Sequence, residues 1–194
     1  MTTSTSKLSE EQYLLAEETS LDKHEFYEGK ILAMAGASDA HIFITNNIVT
    51  LFLTKLRGGK CQLFNNDKRV KSHRPRSYFY PDITVVCGQQ LKDERGNLLN
   101  PTIVIEVLSD STTDYDRGTK AKVYRAMTSL QTYILVEQDA SFVEVHQRVG
   151  QSWVLTEYVG LDASFEIPVI DLTFSLADIY EGVEFPPVQT DDEL

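Results

Sequence analysis

Basic residues vanish from the final stretch of this chain, and cysteine is scarce throughout it. From Val149 to Leu194 there are ten acids and no Lys or Arg. No stretch approaches the roughly 18 consecutive apolar residues of a membrane-crossing helix. Behind the opening Met1–Lys7 there is no apolar segment of the kind a secretory signal carries. The two cysteines, Cys61 and Cys87, show neither CxxC spacing nor nearby histidines. That pattern argues against zinc and predicts two buried free thiols rather than a disulfide, with a cytoplasmic location as the corollary. Glycine-rich phosphate loops, GxSxG and HExxH are also missing, as are internal repeats, so P-loop, serine-hydrolase and zincin chemistries drop out.

What remains is ordinary for a globular protein: 194 residues, 42% apolar and 24% charged. We expect one domain over residues 1–184 and an acidic, proline-bearing disordered tail over 185–194. The formal charge of -11 is unevenly spread, because the first 148 residues hold 19 acids against 18 bases. Within them, Lys55–Arg76 carries eight bases and the single acid Asp67. Such a segment is either a solvated hairpin or a contact for phosphates, since fields act mainly within a Debye length of about 8–10 Å.

Ser9 is placed to cap a first short helix containing Tyr13, Leu14 and Leu15. His24–Met34 reads as a hairpin turning at Glu28-Gly29-Lys30. Ile44, Ile48, Leu51, Phe52 and Leu56 recur at helical spacing, which predicts a long helix over about 40–56, capped by Asp39 and stopped by Gly58-Gly59. Strands are expected over 60–64, 68–71, 78–86, 102–108, 131–137, 142–148 and 153–158, with a second helix from Asp114 or Asp116 to Met127. This order fits an α/β or α+β domain with a central mixed sheet.

Two of those strands carry an acid inside an apolar run: Asp82 in Tyr78–Val86 and Glu106 in Thr102–Leu108. A buried carboxylate costs several kcal/mol unless paired or bound to a cation. Pro81 removes a backbone donor just before Asp82, which suggests a strand start, edge or bulge. Lys120 stands four residues after Asp116 and four before Tyr124, so the three share a helix face. Two acids relieved by a hard cation such as Mg²⁺, with a cationic helper, suit phosphodiester hydrolysis. The plainer alternatives are a structural ion pair for the acids and an exposed surface pair of Lys120 with Asp116.

Pro81-Asp82, Glu106-Val107-Leu108-Ser109 and Tyr115–Lys120 with Tyr124-Arg125 resemble the Uma2 family of restriction endonucleases, in the PD-(D/E)XK nuclease superfamily. The resemblance extends to His24–Gly29, Met34–Ser38 with His41, Asp67 with Arg69-Val70, and Tyr133–Val136. It implies an α/β restriction-endonuclease-like core whose mixed sheet is flanked by helices. It also implies a Mg²⁺ (or Mn²⁺) site at Asp82, Glu106 and the Val107 carbonyl, with Glu25 and Lys120 completing the catalytic set. The substrate would be DNA and the working form a homodimer. Leu108 stands where the superfamily pattern places its lysine, so the resemblance assigns that role to Lys120. Beside the roles the resemblance allows them, Asp67 in Asn65-Asn66-Asp67-Lys68 reads first as a turn residue and His41 first as a structural residue of a helix's opening turn.

Overall fold

The computed structural model describes residues 7–34, 36–109 and 111–187. Helix α1 (Glu10–Thr19) opens with a capping box between Ser9 and Gln12. It buries Tyr13 and Leu14 against Phe26 and Tyr78, while Leu15 faces solvent. Strands β1 (His24–Tyr27) and β2 (Lys30–Ala33) form the expected hairpin. Helix α2 (Asp39–Leu56) is capped by Ser38, not Asp39: the Ser38 hydroxyl accepts from the His41 N–H, which moves Asp39 into the first turn.

The run Tyr78–Val86 is two strands rather than one. It divides into β5 (Arg76–Phe79) and β6 (Ile83–Cys87), which belong to different sheets. Pro81 lies at the break, where a residue without an N–H sacrifices no ladder bond. With β4 (Val70–His73), β5 joins the hairpin in a four-stranded sheet of order β2-β1-β5-β4. The larger sheet adds β3 (Cys61–Asn65), β7 (Ile103–Leu108), β8 (Thr132–Glu137), β9 (Phe142–Val149) and β10 (Ser152–Val159), in the order β10-β9-β8-β7-β6-β3. Only β7 and β8 pair in parallel, so this sheet is mixed, as expected.

Side-chain alternation divides the core across this sheet. Ile83, Val85, Ile103, Ile105 and Val107 face α2, with its Ile44, Ile48 and Phe52. Val86, Val104 and Leu108 face the opposite side. There they meet α3 (Thr113–Tyr115), a π-helical turn (Asp116–Lys120) and α4 (Ala121–Ala126), which run on as one helical segment. Strands β11 (Ser164–Ile167) and β12 (Leu172–Ser175) and helix α5 (Leu176–Ile179) close the α2 side and were not anticipated. Phe185 rests against Tyr180, with ring centroids 5.3 Å apart; the expected tail from residue 188 onward lies outside the described residues.

The free-thiol expectation is overturned. Cys61 and Cys87 are direct partners in the antiparallel register of β3 and β6, and they form a disulfide. A separation of 26 residues concealed this, because the chain visits the smaller sheet between the two strands. The cysteines therefore give no support to a cytoplasmic location. No helix among the described residues is long and apolar enough to cross a membrane.

Candidate active site

Glu106 lies on β7 with Val104 and Leu108, on the sheet face covered by the π-turn and α4. Asp82 immediately precedes β6, and Asp82 and Glu106 are both buried. The Asp82 carboxylate is held from two directions: Oδ2 accepts the Val107 N–H at 2.8 Å, and Oδ1 is 3.0 Å from His41 Nε2. Its own N–H points to Glu106 Oε2 at 3.4 Å. In an extended strand a residue's N–H and C=O point to the same side. The Val107 carbonyl therefore also faces Asp82, beyond Ile105, where pairing with β6 ends.

Lys120 is buried, not a surface residue. Its Nζ lies 3.0 Å from Glu25 Oε1, 3.0 Å from Asp116 Oδ1 and 3.2 Å from Glu106 Oε1. The Asp116 contact is an ion pair without hydrogen-bond alignment, since Oδ1 has no aligned donor among the described residues. The π-turn brings Asp116 and Lys120 onto one side of the widened helix. Tyr124, which the sequence spacing sets on the same helix face as Lys120, donates its hydroxyl to Glu106 Oε1 at 3.3 Å. Glu25 arrives from the smaller sheet and accepts the Tyr80 N–H at 3.0 Å. Asp82 and Glu25 are thus brought together because the chain between β5 and β6 passes from one sheet to the other.

Three carboxyls (Glu25, Glu106, Asp116) surround one ammonium, with Asp82 beside Glu106, and the titration of the group reflects that excess. Burial raises the Glu106 carboxyl well above its ordinary range; Asp116, Asp82 and Glu25 add to the rise, and Lys120 opposes it. Burial likewise raises Glu25. For Lys120 burial pulls downward, but Glu106, Glu25 and Asp116 outweigh it and hold the ammonium protonated well above its normal range. The cluster forms the floor of a cleft of about 640 Å³, to which His41 and Tyr80 also contribute.

Asp67 falls outside this cluster. It pairs with Lys23, with a 70% exposed side chain, and fills the turn role that its Asn65-Asn66 context suggested. His41, by contrast, belongs to the site. Its signal was the capping serine three residues earlier, which sets it in the first turn of α2. Asp116 was legible only as a helix-face neighbour of Lys120.

The donor set fits a hard divalent cation: carboxylate oxygens of Asp82 and Glu106 and a carbonyl, beside unbalanced negative charge. Among the described residues no three His, Cys, Asp or Glu side chains are grouped to hold an ion by themselves.

The family model described as "Uma2: Putative restriction endonuclease" matches residues 10–177. Two proteins of Synechocystis sp. are similar along most of the chain. "Uncharacterized protein slr1290" is 36% identical over 92% of this chain and 94% of its own. "Uncharacterized protein sll1609" is 35% identical over 82% and 92%. The fold resembles the crystal structure of "a putative nuclease belonging to DUF820" from Anabaena variabilis, with TM-score 0.67 and 19% identity over 81% of this chain and 89% of that one. With a mixed sheet that presents Asp82 and Glu106 to a helical lysine, and a match spanning nearly its whole length, the chain belongs to the Uma2 family.

Proposed function

We propose that this protein is a Mg²⁺-dependent endonuclease that hydrolyses DNA phosphodiester bonds, with Mn²⁺ able to substitute. The observation that carries the reading is the buried Lys120 ammonium, set among Glu106, Glu25 and Asp116 and beside Asp82 at the floor of an open cleft. Asp82, Glu106 and the Val107 carbonyl would hold the metal. When bound, it would lower the pKa of a coordinated water and neutralise charge on the phosphoryl oxygens.

The chain's own residues supply the rest. His41 and the Val107 N–H fix the two oxygens of Asp82, so its orientation is set before substrate arrives. Lys120 remains an ammonium at neutral pH and acts as a donor and a charge, not as a base. Its hydrogen bond to Glu106 keeps the ammonium beside an acid that would hold the metal, where it can donate to an attacking water or a phosphate oxygen. Glu25 is tied to the Tyr80 backbone and anchors the lysine from the other side. Cutting both strands of a duplex favours a two-fold homodimer with one site per protomer. A DNA substrate within the cell favours the cytoplasm as the place of action.

Supercoiled plasmid tests this reading. Wild type with Mg²⁺ or Mn²⁺ should convert it to nicked and linear forms, and EDTA, Asp82→Ala or Glu106→Ala should abolish conversion. DNA binding without metal-dependent cutting under any of these conditions would instead identify a silent binding module on the same fold.

A further inference from the structure

Beside the cleft, the loop after β6 returns to the start of β4. Leu98 donates its N–H to the Arg69 carbonyl at 2.9 Å, and its own carbonyl accepts from Lys71 N–H at 2.8 Å. Leu98 also forms a bridge with Lys92. The loop thereby sets Lys92 near Lys68 and Arg69, residues far from it in sequence. A Cβ on Gly96 would lie 3.7 Å from Lys68 Nζ, so the lysine head sits over the same loop.

Like charges have been gathered here without counterions. Among the described residues, Lys68, Arg69 and Lys92 have no carboxylate within 4 Å. Their neighbours are paired: Lys23 with Asp67, Lys71 with Glu10 and Asp93, and Arg95 with Glu18. Asp93, the acid nearest to hand, is already held by Asn97 and Lys71. Lys68 registers the crowding: burial first, then Lys92 and Arg69, lowers its hold on its proton, and Asp93 offsets this only in part. Aromatic rings lie among the cations, with Lys92 5.8 Å from the Phe64 centroid and Arg69 5.8 Å from that of Tyr80. Tyr80 links the cluster to the cleft, because its ring contributes to the wall and its N–H holds Glu25.

We propose that Lys68, Arg69 and Lys92 form a phosphate-binding track that takes the backbone of duplex DNA and leads it past Tyr80 to the acids. The inference rests on the nuclease reading of that site and names the surface that delivers its substrate. A polyanion relieves the mutual repulsion of the three cations, and unpaired bases release counterions on contact with phosphates. The chain's negative net charge does not prevent this, since its acid-only stretch begins at Val149 and two of the three cations, Lys68 and Arg69, lie in the basic segment Lys55–Arg76.

The test is fluorescence anisotropy of a labelled DNA duplex with the full-length protein in EDTA, across a salt series. For Lys68→Ala/Lys92→Ala, the slope of log K against log salt should flatten by about 1.8, two phosphate contacts' worth, and affinity near 0.1 M salt should fall at least about tenfold. Lys68→Arg/Lys92→Arg should keep the wild-type slope, as should Lys122→Ala on the exposed side of α4. Thermal melting checks that each variant is folded. Wild-type slope and affinity in the double alanine variant would overturn the track, as would no measurable wild-type binding at low salt. The two readings can fail separately. If wild type never cuts but the double variant binds weakly, the track stands without the nuclease; if wild type cuts and the double variant binds normally, the reverse holds.

Discussion

Lys120 both holds the site together and serves its proposed chemistry, and the two roles separate by substitution. Lys120→Met leaves Glu25, Glu106 and Asp116 buried without their cation, a change that costs about 3–5 kcal/mol. Added Mg²⁺ should recover part of that loss in a melting experiment. Lys120→Arg keeps the charge but not the compact head, so it should retain most of the stability while plasmid cutting falls by about two orders of magnitude. Glu106 predicts the opposite pattern. Its carboxyl is raised by burial and by neighbouring acids, so in the metal-free protein its contribution to stability is present at acid pH and lost as pH rises through its folded pKa. Glu106→Gln should therefore match or exceed wild-type stability without metal, yet lose the Mg²⁺-induced stabilisation seen in melting, about 2.7 kcal/mol at a hundredfold excess over Kd. Because metal requires the deprotonated carboxylate, binding should release protons and weaken as pH falls. Calorimetry in buffers of different ionisation enthalpy measures that release.

At the scale of elements, the legible parts were those with a local cause. The capping serine of α1, the Glu28-Gly29 turn and the spacing of Ile44, Ile48 and Phe52 each announce themselves within a few residues. Asp82 and Glu106 were legible because charges inside apolar runs demand an explanation, and Lys120 through its helix-face spacing and the family resemblance. Features decided by distant pairing were not. Pro81 marks a break locally, but nothing local shows that the two halves of Tyr78–Val86 join different sheets, or that Cys61 faces Cys87 across β3 and β6. The disulfide closes a 26-residue separation that includes β4 and β5, the chain's second passage through the smaller sheet. Cys61→Ser/Cys87→Ser should lower unfolding free energy by about 2–4 kcal/mol in denaturant titrations. Because both cysteines lie at the end of β6 away from Asp82, metal-dependent cutting should survive the substitution under native conditions.

Across the whole molecule, the two sheets meet at the acids: the smaller supplies Glu25, the larger supplies Glu106, and the chain passing between them supplies Asp82. A dimeric nuclease should linearise plasmid with little accumulation of nicked circles, and sedimentation velocity at working concentration should show a species of twice the chain mass. The central claim, however, is a divalent metal at Asp82 and Glu106 with a helical lysine beside it. Anomalous diffraction from Mn²⁺-soaked crystals tests it most directly. One strong peak is expected, bonded to the Asp82 and Glu106 carboxylates and the Val107 carbonyl at about 2.0–2.3 Å, with Lys120 Nζ adjacent. An anomalous map with no peak between these acids, or with manganese bound only elsewhere, would contradict it.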